Sequence, residues 1–287
     1  MWDLAMSILF SSVLFVVFKL FSVLKIETFY AIVANYFVAG LVSTFFYTKE
    51  VSTYNLSQKS WFWGTLALGI LFILVFNVMA KTAQNLGVSV ASVATKMSFV
   101  IPVVFGVWWY QEKVTLLNAM GICLAVVAVY LCTLKDQKLT LETRTLLLPL
   151  LVFLGSGFID AGIKFLQEQQ MEPTDYPLFS TVVFFGAAGT GSLFMLVNSH
   201  KRPLKINIKN LLGGIILGVP NYFSIHFLLR ALKSETLNSA SVFTVNNVAI
   251  VLLSTLLGIV LFKERLNFRN WTGVLLAVVS ILLVLLF

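Results

Sequence analysis

Charge is scarce in this chain. Only 11% of its 287 residues are Asp, Glu, Lys or Arg, while 59% are hydrophobic; an ordinary soluble domain carries about 25% charged residues. With a mean hydropathy of +0.94, that deficit excludes a water-soluble globular fold and places the chain in a bilayer. Histidine and cysteine are nearly absent: His200, His226, Cys123 and Cys132 are the whole supply. None has ligand spacing, so a metal centre is not expected, and no nucleophile and base converge as an enzyme would need. Cys123 and Cys132 are about half a turn out of phase on a helix, and both read as small core residues without a disulfide. Strict apolar–polar alternation is missing too, which excludes the strands of a membrane barrel. The net charge of +8 forms no basic stripe between polar surfaces, so a nucleic-acid partner is not expected; the cations suit loops facing anionic lipid. The opening MWDLAMSILF has Asp3 in place of a basic leader and no small-x-small cleavage site, so it reads as a first span.

What the chain does have is long apolar runs. Ten of them approach the roughly 20 helical residues that a bilayer core requires: 4–24, 28–48, 61–81, 88–110, 115–134, 146–167, 176–198, 209–230, 238–262 and 268–287. The connections are short; the longest are KEVSTYNLSQKS, KDQKLTLETR and SHKRPLKINIKN, and none could hold a soluble domain. Trp61, Trp63, Trp108, Trp109, Tyr110 and Trp271 lie near span ends and read as headgroup anchors. Gly64, Gly69, Gly186, Gly189, Gly191, Gly213, Gly214 and Gly218 read as sites of close helix approach, and Pro102 and Pro220 as kinks.

One stretch is written twice. Residues 89–127 lie without a gap over residues 241–279, with Ser89/Ser241, Gly106/Gly258, Glu112/Glu264, Asn118/Asn270 and Gly121/Gly273 among the identities. Apolar composition would not place Glu beside a base, then Asn, then Gly, at one spacing in both copies. The chain is therefore a tandem duplication, with five-helix repeats over 1–136 and 143–287. Five is odd, so the copies insert in opposite senses, and inverted repeats supply a carrier with two related conformations.

Ten spans in two five-helix repeats, QEK at 111–113 and KER at 263–265 closing a glycine-bearing fourth helix, and the Asn-x-x-Gly helix after it are similar to the drug/metabolite transporter superfamily, EamA type. The resemblance covers nearly the whole chain and implies an all-α integral membrane fold. It also implies a bacterial inner-membrane carrier working by alternating access, often an exporter, with no bound cofactor. Similar members export amino acids, other metabolites or drugs, and relatives carry sugar phosphates. Orientation is divided: most Lys and Arg follow the odd-numbered spans, which by the positive-inside rule puts both termini outside, whereas family habit puts them inside.

Ionisable groups at membrane depth are costly and face the bundle interior, so they are the site candidates. Lys96 lies about 12 Å into span 4 at roughly 1.5 Å per residue, with Ser89 and Ser92 on its face; it lines a cavity or forms a structural ion pair. Asp160 and Lys164 stand one turn apart on span 6, either as a self-neutralising pair or with Asp160 as a proton-linked switch. Lys19 is near enough to a span end to snorkel. Asn77, Lys81 and Gln84 share one face of span 3, Asn221 follows Pro220, and Tyr222, His226 and Arg230 share another face of span 8. Asn246 and Asn247 match Ala94 and Thr95 of the first copy. Singly, each of these polar groups suits an interhelical hydrogen bond; together they suggest a polar midplane site. Glu112 and Glu264 read as local caps at helix ends.

Lys19, Lys96 and Lys164 outnumber Asp160, and a cation-rich interior favours a solute bearing carboxylate or phosphate. The expectation is an exporter or exchanger of a small anionic or zwitterionic metabolite, amino acid-like, acting as monomer or homodimer. Export of drugs or lipophilic cations, and a membrane sensor or assembly protein without flux, are the alternatives.

Overall fold

An apolar run inside a bilayer has no water to satisfy its amides, so each closes its hydrogen bonds upon itself. The computed structural model describes residues 1–46, 56–110, 115–134, 143–171, 175–199, 207–232 and 239–286. Among them the chain is helical, without strands: α1 (Trp2–Val23), α2 (Thr28–Phe46), a 3-10 turn at Leu56–Gln58, α3 (Phe62–Asn85), α4 (Val88–Met97), α5 (Val100–Tyr110), α6 (Leu116–Thr133), α7 (Thr143–Gln169), α8 (Tyr176–Ser199), α9 (Ile208–Leu232), α10 (Ser239–Phe262) and α11 (Phe268–Leu286). Nine segments of the described chain are long and apolar enough to cross a membrane, the fourth of them built from both α4 and α5; α11 adds the shorter apolar stretch Phe268–Val284. The Gln111–Lys113 motif, His200 and much of the three long connections lie outside the described residues.

Packing follows the duplication. α1 lies against α9 and α10, α2 against α8 and α9, α3 against α7 and α8, α4 against α7 and α10, and α6 against α11. Exchanging each span for its counterpart in the other repeat turns α1–α9 into α3–α7, α2–α9 into α3–α8, and α1–α10 into α4–α7, while α6–α11, α2–α8 and α4–α10 map onto themselves. That is the signature of a pseudo-two-fold axis relating the repeats. Several pairs break it: α1 and α2 both pack along α3, whereas the counterpart pairs α7–α9 and α8–α9 have no comparable packing among the described residues.

The α6–α11 seam shows how the Asn-x-x-Gly signature works. The Asn270 amide donates to the carbonyls of Leu131, Cys132 and Leu134 at 3.2, 2.9 and 2.9 Å, satisfying the frayed end of α6. Gly273 lets the helices meet, because a Cβ there would stand 2.8 Å from the Cys132 backbone nitrogen. Ser280 Oγ donates to the Gly121 carbonyl at 2.7 Å, closing the other half of the seam.

Three expectations are corrected. Cys123 is exposed on the outer face of α6, and only Cys132 is buried; half a turn of phase cannot put both in one core. Trp61 is not a headgroup anchor: it is 1% exposed, and its indole donates to Asp175 at 3.0 Å, tying the start of α3 to that of α8. Trp63, Trp108 and Trp271 do face outward. Gly189 marks no helix contact, since a Cβ there meets nothing within 4 Å, whereas Gly69 abuts the Ala187 backbone at 2.8 Å.

Gly273→Ala is expected to destabilise the protein by about 1–3 kcal/mol through overpacking against backbone, read as a lower midpoint of thermal unfolding in detergent. Substitution at Gly189 should leave that midpoint unchanged.

Candidate functional site

The fourth span is interrupted because proline has no amide. Pro102 cannot donate to the Ser98 carbonyl one turn back, and that carbonyl instead accepts a tighter bond from Ile101 N at 2.9 Å. The helix breaks at Ser98 and Phe99, between α4 and α5. At the matching place the second copy has Ser254, and α10 runs unbroken. The duplicated helix is therefore discontinuous in one repeat only.

Polar groups gather at the break. The Ser98 hydroxyl donates to the Thr95 carbonyl at 2.6 Å and lies 3.4 Å from Asp160 Oδ2 on α7. Lys96 interacts electrostatically with the same carboxylate. α7 comes close enough for this because Gly157 has no side chain, and a Cβ there would fall 2.6 Å from Ile101 Cβ on α5. Lys96 is half-buried and Asp160 exposed, on helices that pack against each other. The ammonium has no hydrogen bond among the described residues, which leaves its three donors for water or a solute.

Other polar residues separate into distinct places. Ser89 and Ser92 do not line accessible space: they are 2% and 0% exposed, and Ser92 Oγ bonds back to the Ser89 carbonyl at 3.0 Å. Lys164 sits one turn beyond Asp160, half-buried. Lys19 Nζ donates to the Gln84 carbonyl at 2.7 Å, and Gln84 Nε2 returns a bond to Phe18 O at 3.0 Å, so this ammonium fastens α1 to the end of α3. Asn221 donates to Asn35 Oδ1 at 3.2 Å, joining α9 to α2. Asn246 accepts from Ser7 Oγ at 3.1 Å, joining α10 to α1, and its neighbour Asn247 is half-buried. His226 meets the Tyr222 hydroxyl at 3.3 Å, and Arg230, one turn on, pairs with Asp3 at 3.3 Å. Asn77, Lys81 and Gln84 line a lateral groove of about 620 Å³ between α2, α3 and α8. An apolar cleft of about 660 Å³ opens along the same three helices. Neither is lined by Lys96 or Asp160. Among the described residues no three His, Cys, Asp or Glu side chains converge as a metal site would require.

A model of the EamA-like transporter family matches residues 3–134 and, a second time, residues 145–286. An uncharacterized protein of Haemophilus influenzae is 27% identical over 227 residues, covering 75% of this chain and 72% of the relative. A protein crystal structure aligns with a TM-score of 0.57 at 15% identity, over 98% of this chain and 94% of the other, a likeness of fold.

Pro102→Ala supplies the missing donor for the Ser98 carbonyl. Amide exchange across residues 98–102 should slow by about an order of magnitude for a bond worth roughly 1 kcal/mol, measured by hydrogen–deuterium exchange. Unchanged exchange would mean that something other than the proline interrupts the span.

Proposed function

The chain belongs to the EamA-like transporter family of the drug/metabolite transporter superfamily and is a multi-pass membrane protein; from that premise we propose that it carries a small zwitterionic or anionic metabolite, amino acid-like, across a bacterial inner membrane by alternating access. The observation that carries the reading is the pair at the helix break: Lys96, free of hydrogen bonds among the described residues, opposite an accessible Asp160. An ammonium would hold the solute carboxylate, and a carboxylate would hold its amino group. Lys19 is engaged at the end of α3, which leaves Lys96, Asp160 and, one turn on, Lys164 near the break; a cation and a carboxylate together suit a zwitterion, and the further cation disfavours a cationic solute. Ser98, buried and linked to Asp160, orients that carboxylate from behind. Asn247 lies on the counterpart span, at a position adjoining the match of Lys96.

Discontinuous helices are where carriers bind, because freed backbone groups and helix ends meet the cargo at mid-membrane. Binding to Lys96 and Asp160 also removes their mutual attraction from the empty site. Each can then hold its solute partner in one facing conformation and its protein partner in the other. A proton taken up by Asp160 would release Lys96 in the same way, and that is how proton coupling would enter. The contrasting reading, export of lipophilic cations, would use Asp160 alone and would be hindered by the adjacent ammonium.

A thermal-shift screen of acidic, zwitterionic and lipophilic cationic compounds on detergent-solubilised protein tests this. The expected result is stabilisation by a zwitterion, abolished in Lys96→Ala and reduced at least tenfold in apparent affinity in Asp160→Asn, as for loss of a charge-assisted bond of about 1.5–3 kcal/mol. Counterflow in proteoliposomes should fall in parallel. Stabilisation by lipophilic cations alone, or a zwitterion effect that survives Lys96→Ala, would remove this site from the account.

A further inference from the structure

Glu264 lies just past the end of α10, and the turn that carries it is specified by its neighbours. Lys263 takes a left-handed backbone, φ 54°, and Glu264 N donates back to the Gly258 carbonyl at 3.3 Å. That seven-residue closure, with its left-handed residue, ends the helix. Gly258 leaves room for the Glu264 side chain, since a Cβ there would stand 2.6 Å from Glu264 Oε2. The side chain does not cap its own helix. It crosses the pseudo-two-fold to the other repeat, where Oε1 accepts from Val88 N at 2.7 Å and Oε2 accepts from Ser89 Oγ at 3.3 Å. Gly87, φ 117°, makes the turn into α4 and packs its Cα against the same carboxylate. A carboxylate on a helix N-terminus is favourable both as acceptor and toward the helix dipole.

The capped helix carries Lys96. Over its first two turns, from Val88 to Ala94, every residue is buried, so α4 itself presents no exposed surface between the Glu264 end and the ammonium. Accessibility begins at Thr95 and Lys96 and continues at Asp160. The Glu264 end is also where Lys19 and Gln84 hold α1 to α3, and α1–α3 is the packing that α7 and α9 lack. That end is therefore fastened twice, by Glu264 between the repeats and by Lys19 within the first.

We infer that Glu264 is a positioning residue of the carrier: its bond to the N-terminus of α4 latches the two repeats at the end where odd-numbered spans finish, and transport to that end requires the latch to open. This rests on the carrier reading given above. Ser89, Gly258 and Glu264 belong to identities that the duplication keeps, with Ser241, Gly106 and Glu112 as their sequence counterparts, as a device used in two facing states would require. By loop charge the latched end is cytoplasmic.

The test reads access, which needs no solute, and so fails separately from the carrier reading. In a chain with Cys123→Ser and Cys132→Ala, Lys96→Cys is exposed to a charged, membrane-impermeant thiol reagent added to one face of reconstituted vesicles at a time. Lys25→Cys and Gln58→Cys mark the latched and opposite faces. With Glu264 intact, Lys96→Cys should react from the Gln58 face. Adding Glu264→Ala should raise its rate from the Lys25 face roughly tenfold, as for loss of a helix cap, and Glu264→Gln, which keeps one acceptor, should raise it less. Asn270→Ala, which loosens the α6–α11 seam without touching α4, should leave sidedness unchanged. An unaltered sidedness in folded Glu264→Ala protein, or the same shift in Asn270→Ala, overturns the latch.

Discussion

A helix crossing a bilayer must satisfy its own backbone, and the candidate site of this protein depends on a place where the fourth span does so only by breaking its regular pattern. Pro102 withholds an amide, Ser98 and Phe99 leave the helix, and Lys96, Ser98 and Asp160 collect around the gap. Polar side chains are tolerated there because the interruption already admits polarity. Pro220 has no such effect: α9 continues through it. The difference is in the neighbours. Gly218 brings α9 against the Asn35 backbone, where a Cβ would meet Asn35 O at 2.7 Å, and Asn221 bonds Asn35 directly, so packing on α2 supports the unbroken helix.

The second constraint is symmetry and its partial loss. The repeats share five spans and a common pattern of packing, yet α1 closes on α3 while α7 stands away from α9. Two copies with one sequence pattern and opposite insertion can exchange those shapes at small cost, since each already exists in the other half. Small-residue seams such as Gly121 and Gly273 hold α6 close against α11.

Much of this was legible in the sequence. Apolar runs gave the spans within a few residues, because length is dictated by bilayer thickness, and the repeated Glu, Asn and Gly spacing gave the duplication. Lys96 stood out because an ammonium so deep in an apolar run needs a reason. Partnership across helices was harder to read. Asp160 lies beside Lys164 in sequence but faces Lys96 on α4, and Glu264 looked like a local cap but reaches a residue 176 positions away. Trp61 looked like an anchor until its Asp175 partner, 114 positions away, was visible. Periodicity reports which face of a helix is apolar; which neighbour covers that face is a property of the assembled bundle.

The pairing of one ammonium with one carboxylate at the helix break also has an electrical consequence. A unit charge crossing a membrane potential of 100 mV gains or loses about 2.3 kcal/mol, but Lys96 and Asp160 together contribute no net charge, and neither does a zwitterion seated between them. Turnover with such a cargo alone would be indifferent to voltage, whereas a cargo with a net charge, or a proton carried on Asp160, would make the same cycle electrogenic.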